Sequence, residues 1–204
     1  MQYFELAYLT TMMGKAADVA AGVKRFCEEA EQGQLAGVWF SDIGKLNQVI
    51  VLRTFDSAAE LDQERQRTLE AADPFYATEW LIDLDLQRFA GFPFLPEVEL
   101  GAVGPAYELR TYEMKHGGLP HVLHAWEQAV PERIQYSKLT AAMYSLDGVP
   151  RIVSIWPYAS VDQRTQVRQQ VVQEGIWPPK GGPQWLTHQM ESIIMWPTAV
   201  SPLK

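Results

Sequence analysis

The chain states one pattern twice. Phe4-Glu5-Leu6 returns as Tyr107-Glu108-Leu109, 103 positions later. Phe55-Asp56-Ser57 returns as Tyr158-Ala159-Ser160 and Arg65-Gln66 as Arg168-Gln169, both again at 103. Trp80-Leu81 matches Trp185-Leu186 at 105, and Phe92-Pro93 matches Trp196-Pro197 at 104. A spacing held across a whole half, with slips of one or two residues, is far longer than the roughly 20–50-residue period of a solenoid. It describes a duplicated domain. The copies are expected over residues 1–97 and 104–204, with a joint at Pro96–Pro105 that carries two prolines and two glycines.

Each copy reads strand–helix–strand–strand–helix–strand. In the second, Ala106–Tyr112 has strand composition and Lys115-His116-Gly117-Gly118 breaks it. Leu119, Val122, Leu123, Trp126, Ala129 and Val130 then fall at helical spacing, with Pro120 in the first turn and Pro131 expected to end or kink the helix. Lys138–Ser145 and Arg151–Trp156 form a hairpin about Leu146-Asp147-Gly148. Ser160 opens a second helix with a capping box to Gln163, Gly175 stops it, and Glu191–Trp196 is the last strand. The first half repeats the plan. Its strands include Leu6–Thr10, Leu35–Ser41 and Gln48–Phe55, its first helix carries Val19, Val23, Phe26 and Cys27 on one stripe, and Ser57 caps toward Glu60.

A βαββαβ unit of about 100 residues is the ferredoxin-like arrangement, an α+β fold with helices on one face of a four-stranded sheet. The other face must be covered. Two such sheets on one chain can cover each other by closing into an eight-stranded barrel with the helices outside. The alternative is two independent domains. The short joint argues for the barrel, because it holds one half at high effective concentration near the other.

Tyr107-Glu108-Leu109-Arg110-Thr111-Tyr112, then Lys115, Gly118, Trp126, Pro131-Glu132-Arg133, Ile155-Trp156-Pro157-Tyr158-Ala159-Ser160, Arg164, Arg168 and Ser192…Pro197 form a set. By these residues the second half resembles the NIPSNAP family, within the dimeric α+β barrel superfamily. The first half keeps Glu5 and Leu6 but has Ala7, Tyr8 and Leu9 in place of Arg110, Thr111 and Tyr112, and looks like a degenerate copy. The resemblance implies the same pseudo-dimeric barrel. It implies little about chemistry, since the superfamily holds cofactor-free oxygenases, isomerases, haem enzymes and plain binding modules, and fold alone does not choose among them.

The net charge of −8 and the lack of any Lys/Arg cluster disfavour a nucleic-acid partner. No apolar run reaches 18 residues, so no membrane partner is expected. The N-terminus lacks the charged and apolar stretches of a secretion signal, and Cys27 is the single cysteine, so a reducing, cytoplasmic setting is the expectation. No phosphate-binding glycine loop, dinucleotide fingerprint, nucleophile elbow or metal-binding cysteine set is present, and no cofactor is expected.

Chemistry is sought on the strand from Ala106, where side chains alternate between faces. Tyr107, Leu109 and Thr111 are the more apolar set and are expected to face the helices. Glu108, Arg110 and Tyr112 would then line the barrel as catalytic candidates. Arg110 could clamp a carboxylate or enolate, Glu108 could act as a base if burial raised its pKa, and Tyr112 could orient a substrate or donate a proton. The competing reading is an internal Glu108–Arg110 ion pair. Against it stands an asymmetry: the Arg and Tyr occur in one half, whereas an architectural network would be kept in both. Trp156 and Ser154 are expected on the barrel wall, and His116 near its mouth, as substrate-binding candidates. His188 is placed before the last strand. His121 and His124 share a helix face, as do Arg164 and Arg168, and each pair is read as a solvated face. Trp126 and Cys27 are read as core.

The functional expectation is a protein that binds a small polar or aromatic molecule in its barrel, with cofactor-free proton transfer or oxygenation as the candidate chemistry. The alternative is a non-catalytic protein-interaction module. Haem binding in the barrel is a third reading. Beyond a small ligand, self-association as a homodimer is the partner expectation.

Overall fold

Strands that alternate side chains between two faces need two covers, and this chain supplies both. The computed structural model describes residues 1–204. The first half contains β1 (Tyr3–Thr11), α1 (Ala16–Glu28), β2 (Gln34–Ile43), β3 (Gln48–Phe55), α2 (Ala58–Glu70) and β4 (Leu81–Gly91). The second contains β5 (Ala106–Met114), α3 (Leu119–Arg133), β6 (Ala141–Ser145), β7 (Arg151–Tyr158), α4 (Val161–Gln173) and β8 (Leu186–Pro197). The strands close into one antiparallel barrel in the order β1-β3-β2-β8-β5-β7-β6-β4. Each half is thus the ferredoxin-like sheet expected of it, and the halves meet at two seams. At one seam Trp39 pairs with Pro197 and Phe40 with Trp196. At the other Phe89 pairs with Ser145 and Gly91 with Met143. Closure removes the open strand edges that would otherwise invite aggregation.

The repeat is kept in register as well as in sequence. Leu6 faces Leu52 in the first half and Leu109 faces Ile155 in the second. These four side chains belong to the sixteen-residue cluster that fills the barrel, together with Phe4, Trp39, Phe89, Tyr107, Met143 and Met195. A second cluster packs α1 against the first sheet through Leu9, Val19, Val23, Phe26 and Val51. A third packs α3 and α4 against the second sheet through Val122, Trp126, Ile152, Trp156 and Val171. Trp126 is core, as read from its stripe. Cys27 packs on the α1 cluster, and burial pushes its thiol up to about 11.

Local signals act where they were read. The amide of Glu60 donates to Ser57 Oγ at 3.2 Å, and the amide of Gln163 to Ser160 Oγ at 3.1 Å. These satisfy donors that a helix start leaves free. Gly175, at φ 72°, follows the end of α4. Pro131 lies inside α3, which ends two residues later at Arg133. The last strand runs longer than its composition marks, from Leu186 to Pro197, because pairing with β5 along one edge and β2 along the other holds residues that carry little strand propensity themselves.

Candidate functional site

The polar trio of β5 lies on the opposite face from the one expected. Tyr107 and Leu109 point into the barrel, and Glu108, Arg110 and Tyr112 point out toward the helices. The physical reason is that the barrel centre is the drier of the two covered faces. It is sealed on every side by strands, so the bulkier apolar set wins it. The space between a sheet and its helices is open at the margins, where long cationic side chains on a helix can reach in. Trp156 and Ser154 follow the same rule. They pair across the ladder with Glu108 and Arg110, so all four share the helix-facing side, and Trp156 Nε1 donates to Ser154 Oγ at 3.0 Å. Five of the six sequence candidates are therefore brought together, but outside the barrel. His116 is not among them. It is exposed in the β5–α3 loop, beside a shallow hollow of about 290 Å3 with Lys115, Leu119 and Asp147.

Arg164 and Arg168 join this group, against the expectation of a solvated face. Both sit on α4 and turn inward. Glu108, with a side chain 0% exposed, accepts from Arg110 Nη1 at 2.7 Å, from Ser192 Oγ at 2.8 Å and from Arg164 Nη2. Arg168 Nη1 lies 3.6 Å from its second oxygen. Arg110 Nε also donates to the hydroxyl of Tyr112. Burial pushes the Glu108 carboxyl up, but the Arg164 hydrogen bond, the Arg110 and Arg168 charges and Ser192 outweigh it and bring the pKa down to about 2. At neutral pH such a carboxylate is ionised, and its low pKa makes it a weak base.

The first half contains a counterpart that its sequence conceals. Glu5, the repeat partner of Glu108, accepts from Arg53 Nη2 at 2.6 Å and Nε at 3.0 Å. Arg53 also donates to Glu64 Oε2 at 3.2 Å and Thr68 Oγ1 at 3.1 Å on α2, and Arg67 Nε donates to Glu64 at 2.9 Å. Both halves thus pin their second helix to the sheet through a buried glutamate. The cation comes from β3 in one copy and from β5 and α4 in the other, so comparing aligned positions does not find it. The kept asymmetry is one of charge. The first network holds two carboxylates and two guanidiniums, with Glu5, Arg53 and Glu64 at 3% exposure or less and Arg67 at 31%. The second holds one carboxylate and three guanidiniums, the side chains of Arg110, Arg164 and Arg168 being 15%, 24% and 30% exposed. Arg164 Nε is buried with no partner.

The barrel itself encloses no chamber at its packed centre. A polar recess of about 570 Å3 opens at the end lined by Tyr8, Gln48, Asp85, Thr111, Arg151 and Glu191. The remaining histidines stay apart. His121 stacks on Trp185 at 3.9 Å, His124 is exposed on α3, and His188 is exposed within β8. No three His, Cys, Asp or Glu side chains converge in a metal-holding geometry.

The sequence model of the NIPSNAP family matches residues 4–79 and again residues 107–202. The chain belongs to the NIPSNAP family. The double match is the repeat seen from outside: two NIPSNAP units on one polypeptide. A NipSnap homolog of Dictyostelium discoideum is 28% identical over 143 residues, which are 69% of this chain and 64% of that protein. The chain therefore spans less than two thirds of that NIPSNAP relative. Among solved structures, an anthrone oxidase-like protein superposes over 97% of this chain and 91% of its own at a TM-score of 0.71, with 13% identity. That likeness is one of fold, and it covers both halves together. A NIPSNAP family protein of Agrobacterium tumefaciens is 27% identical, covering 50% of this chain and 96% of its own, with a TM-score of 0.45. No helix in this NIPSNAP chain is long and apolar enough to cross a membrane.

Proposed function

We propose that this NIPSNAP protein binds a small anionic molecule on the helix-covered face of its second sheet, with Arg110, Arg164 and Arg168 as the receiving groups. Glu108 is their fixed counter-charge and not a base. The observation that carries this reading is the charge count of the two networks. A half-buried cluster of three guanidiniums on one carboxylate is short of negative charge, whereas its first-half twin is balanced, two carboxylates on two guanidiniums. A compact anion supplies the missing charge, and guanidinium forks bind carboxylate or phosphate oxygens through paired hydrogen bonds. The chemistry such a site offers is stabilisation of negative charge, on a bound carboxylate or on an enolate oxygen. Tyr112, partly buried beside Arg110, is the aromatic group at its margin.

The test uses Arg168→Ala, since Arg168 is the most exposed of the three and the most distant from Glu108. Thermal denaturation is followed in phosphate or acetate against chloride at equal ionic strength. The expected result is a rise in Tm for the anion in the parent protein that shrinks or vanishes in the variant. Equal Tm values in all salts, or an equal rise in parent and variant, would refute the reading.

A further inference from the structure

A wide hollow elsewhere on the molecule shares no lining residue with the guanidinium network. It lies where the joint between the halves passes the ends of β7 and β8, and it measures about 830 Å3. Tyr158, Pro157, Trp196 and Pro197 give it a flat, largely apolar wall, and Ser137, Gln163 and Thr198 place hydroxyl and amide groups around it. Lys138 and Lys204 stand on its lining, and not one Asp or Glu does. The chain as a whole carries 25 acidic and 17 basic side chains, so a groove of this size without an acidic side chain departs from the general surface.

A third cation stands behind the wall. Arg133, 2% exposed, donates to Ser137 Oγ at 2.9 Å and to the Tyr158 hydroxyl at 3.4 Å, and both partners line the groove. Its guanidinium lies over the Trp156 ring at 4.3 Å and makes no ion pair. Its direct partners are hydroxyls and aromatic faces, and the Glu108 carboxylate acts on it only through space, opposed by Arg168. Burial, the largest influence on Arg133, pulls its pKa down. The groove in front of it is the space from which a counter-charge can come.

We propose that this groove is a binding site for a small carboxylate carried on an aromatic or alkyl body, the body lying along Trp196 and Pro197 and the carboxylate facing Lys138, Ser137 and the field of Arg133. A bare inorganic anion would leave most of the volume and the aromatic wall unused. A neutral apolar molecule would place no negative charge opposite Lys138 and Arg133. Ligand sites of this kind combine a mainly apolar lining with a few convergent polar groups. The groove shares no lining residue with the guanidinium network, and Arg133 stands within the field of Glu108 and Arg168.

The test is isothermal titration of the intact protein with 2-naphthoate and with its neutral isostere 2-naphthylmethanol. The expected result is binding of naphthoate, with the alcohol about ten-fold or more weaker, as loss of one charge-assisted contact implies. Lys138→Glu weakens naphthoate by a similar factor, and Ala199→Trp, which fills the groove without altering charge, abolishes binding. Both variants are checked for a native circular dichroism spectrum, and either alone carries the test if the other fails to fold. Equal affinity for the two probes, absence of naphthoate binding, or binding that persists in the folded variants would overturn the proposal. So would a loss confined to Arg168→Ala, which would move the probe to the guanidinium network.

Discussion

A carboxylate denied water must be repaid in hydrogen bonds, and Glu108 collects them from a strand, a neighbouring strand and a helix at once. Its pKa, brought down to about 2 from an ordinary value of 4.5, ties that cluster to pH. Because the folded value is depressed, the stabilisation is complete above the unfolded value and fades as pH falls through the folded one. Glu108→Gln is therefore expected to cost on the order of 3 kcal/mol at neutral pH. The gap between parent and variant should close between about pH 4.5 and pH 2 in urea titrations read by tryptophan fluorescence. A gap that stays constant with pH would mean the carboxylate is not held ionised. Arg110→Ala removes a cation that Arg164, Arg168 and Ser192 can partly replace at Glu108. The fold should survive with a loss of about 1–3 kcal/mol, while affinity for a carboxylate ligand falls more than about ten-fold by titration.

At the scale of elements, what could be read in advance was whatever rests on neighbours in sequence. Ser57 and Ser160 declare helix starts because a hydroxyl three residues before a free amide has one obvious use. Ser160→Ala should lower stability by about 1 kcal/mol, measured by chemical denaturation. The strand period of β5 was legible too, but its polarity was not. Alternation says that Glu108 and Tyr107 part company; it does not say which cover each one meets, because in this fold both covers are protein. The roles of Arg164 and Arg168 were hidden for a related reason. Two arginines one turn apart look solvated until a buried carboxylate on a strand 56 residues away is known to lie opposite. Gly37 shows a third kind of silence. A Cβ there would stand 1.9 Å from the ring of Trp39, at a shift in the β2–β3 register. Nothing local distinguishes this glycine from a flexible one. Gly37→Ala should cost about 1–3 kcal/mol by overpacking, seen as a lower Tm in calorimetry.

For the whole molecule, the barrel interior belongs to neither half. Leu6, Leu52 and Phe89 come from one, Tyr107, Leu109, Ile155 and Met195 from the other. A fragment of residues 104–204 would bare its half of that core. It is expected to run as a dimer in light scattering, or to fail to give a cooperative transition; a stable monomer with a sharp transition would show that each sheet can stand uncovered. The repeat made this architecture legible early, because a duplicated half-covered sheet has few ways to finish itself.

A barrel built from two identical chains must accept every substitution twice, once on either side of its axis. Fusion lifts that rule. Here one copy holds a neutral clasp while the other carries surplus cations, an asymmetry that a symmetric pair could not inherit from a single gene. Its signature is stoichiometric: titrations of the α4 cluster should saturate at a single equivalent per polypeptide, with no second, mirror-image event to follow.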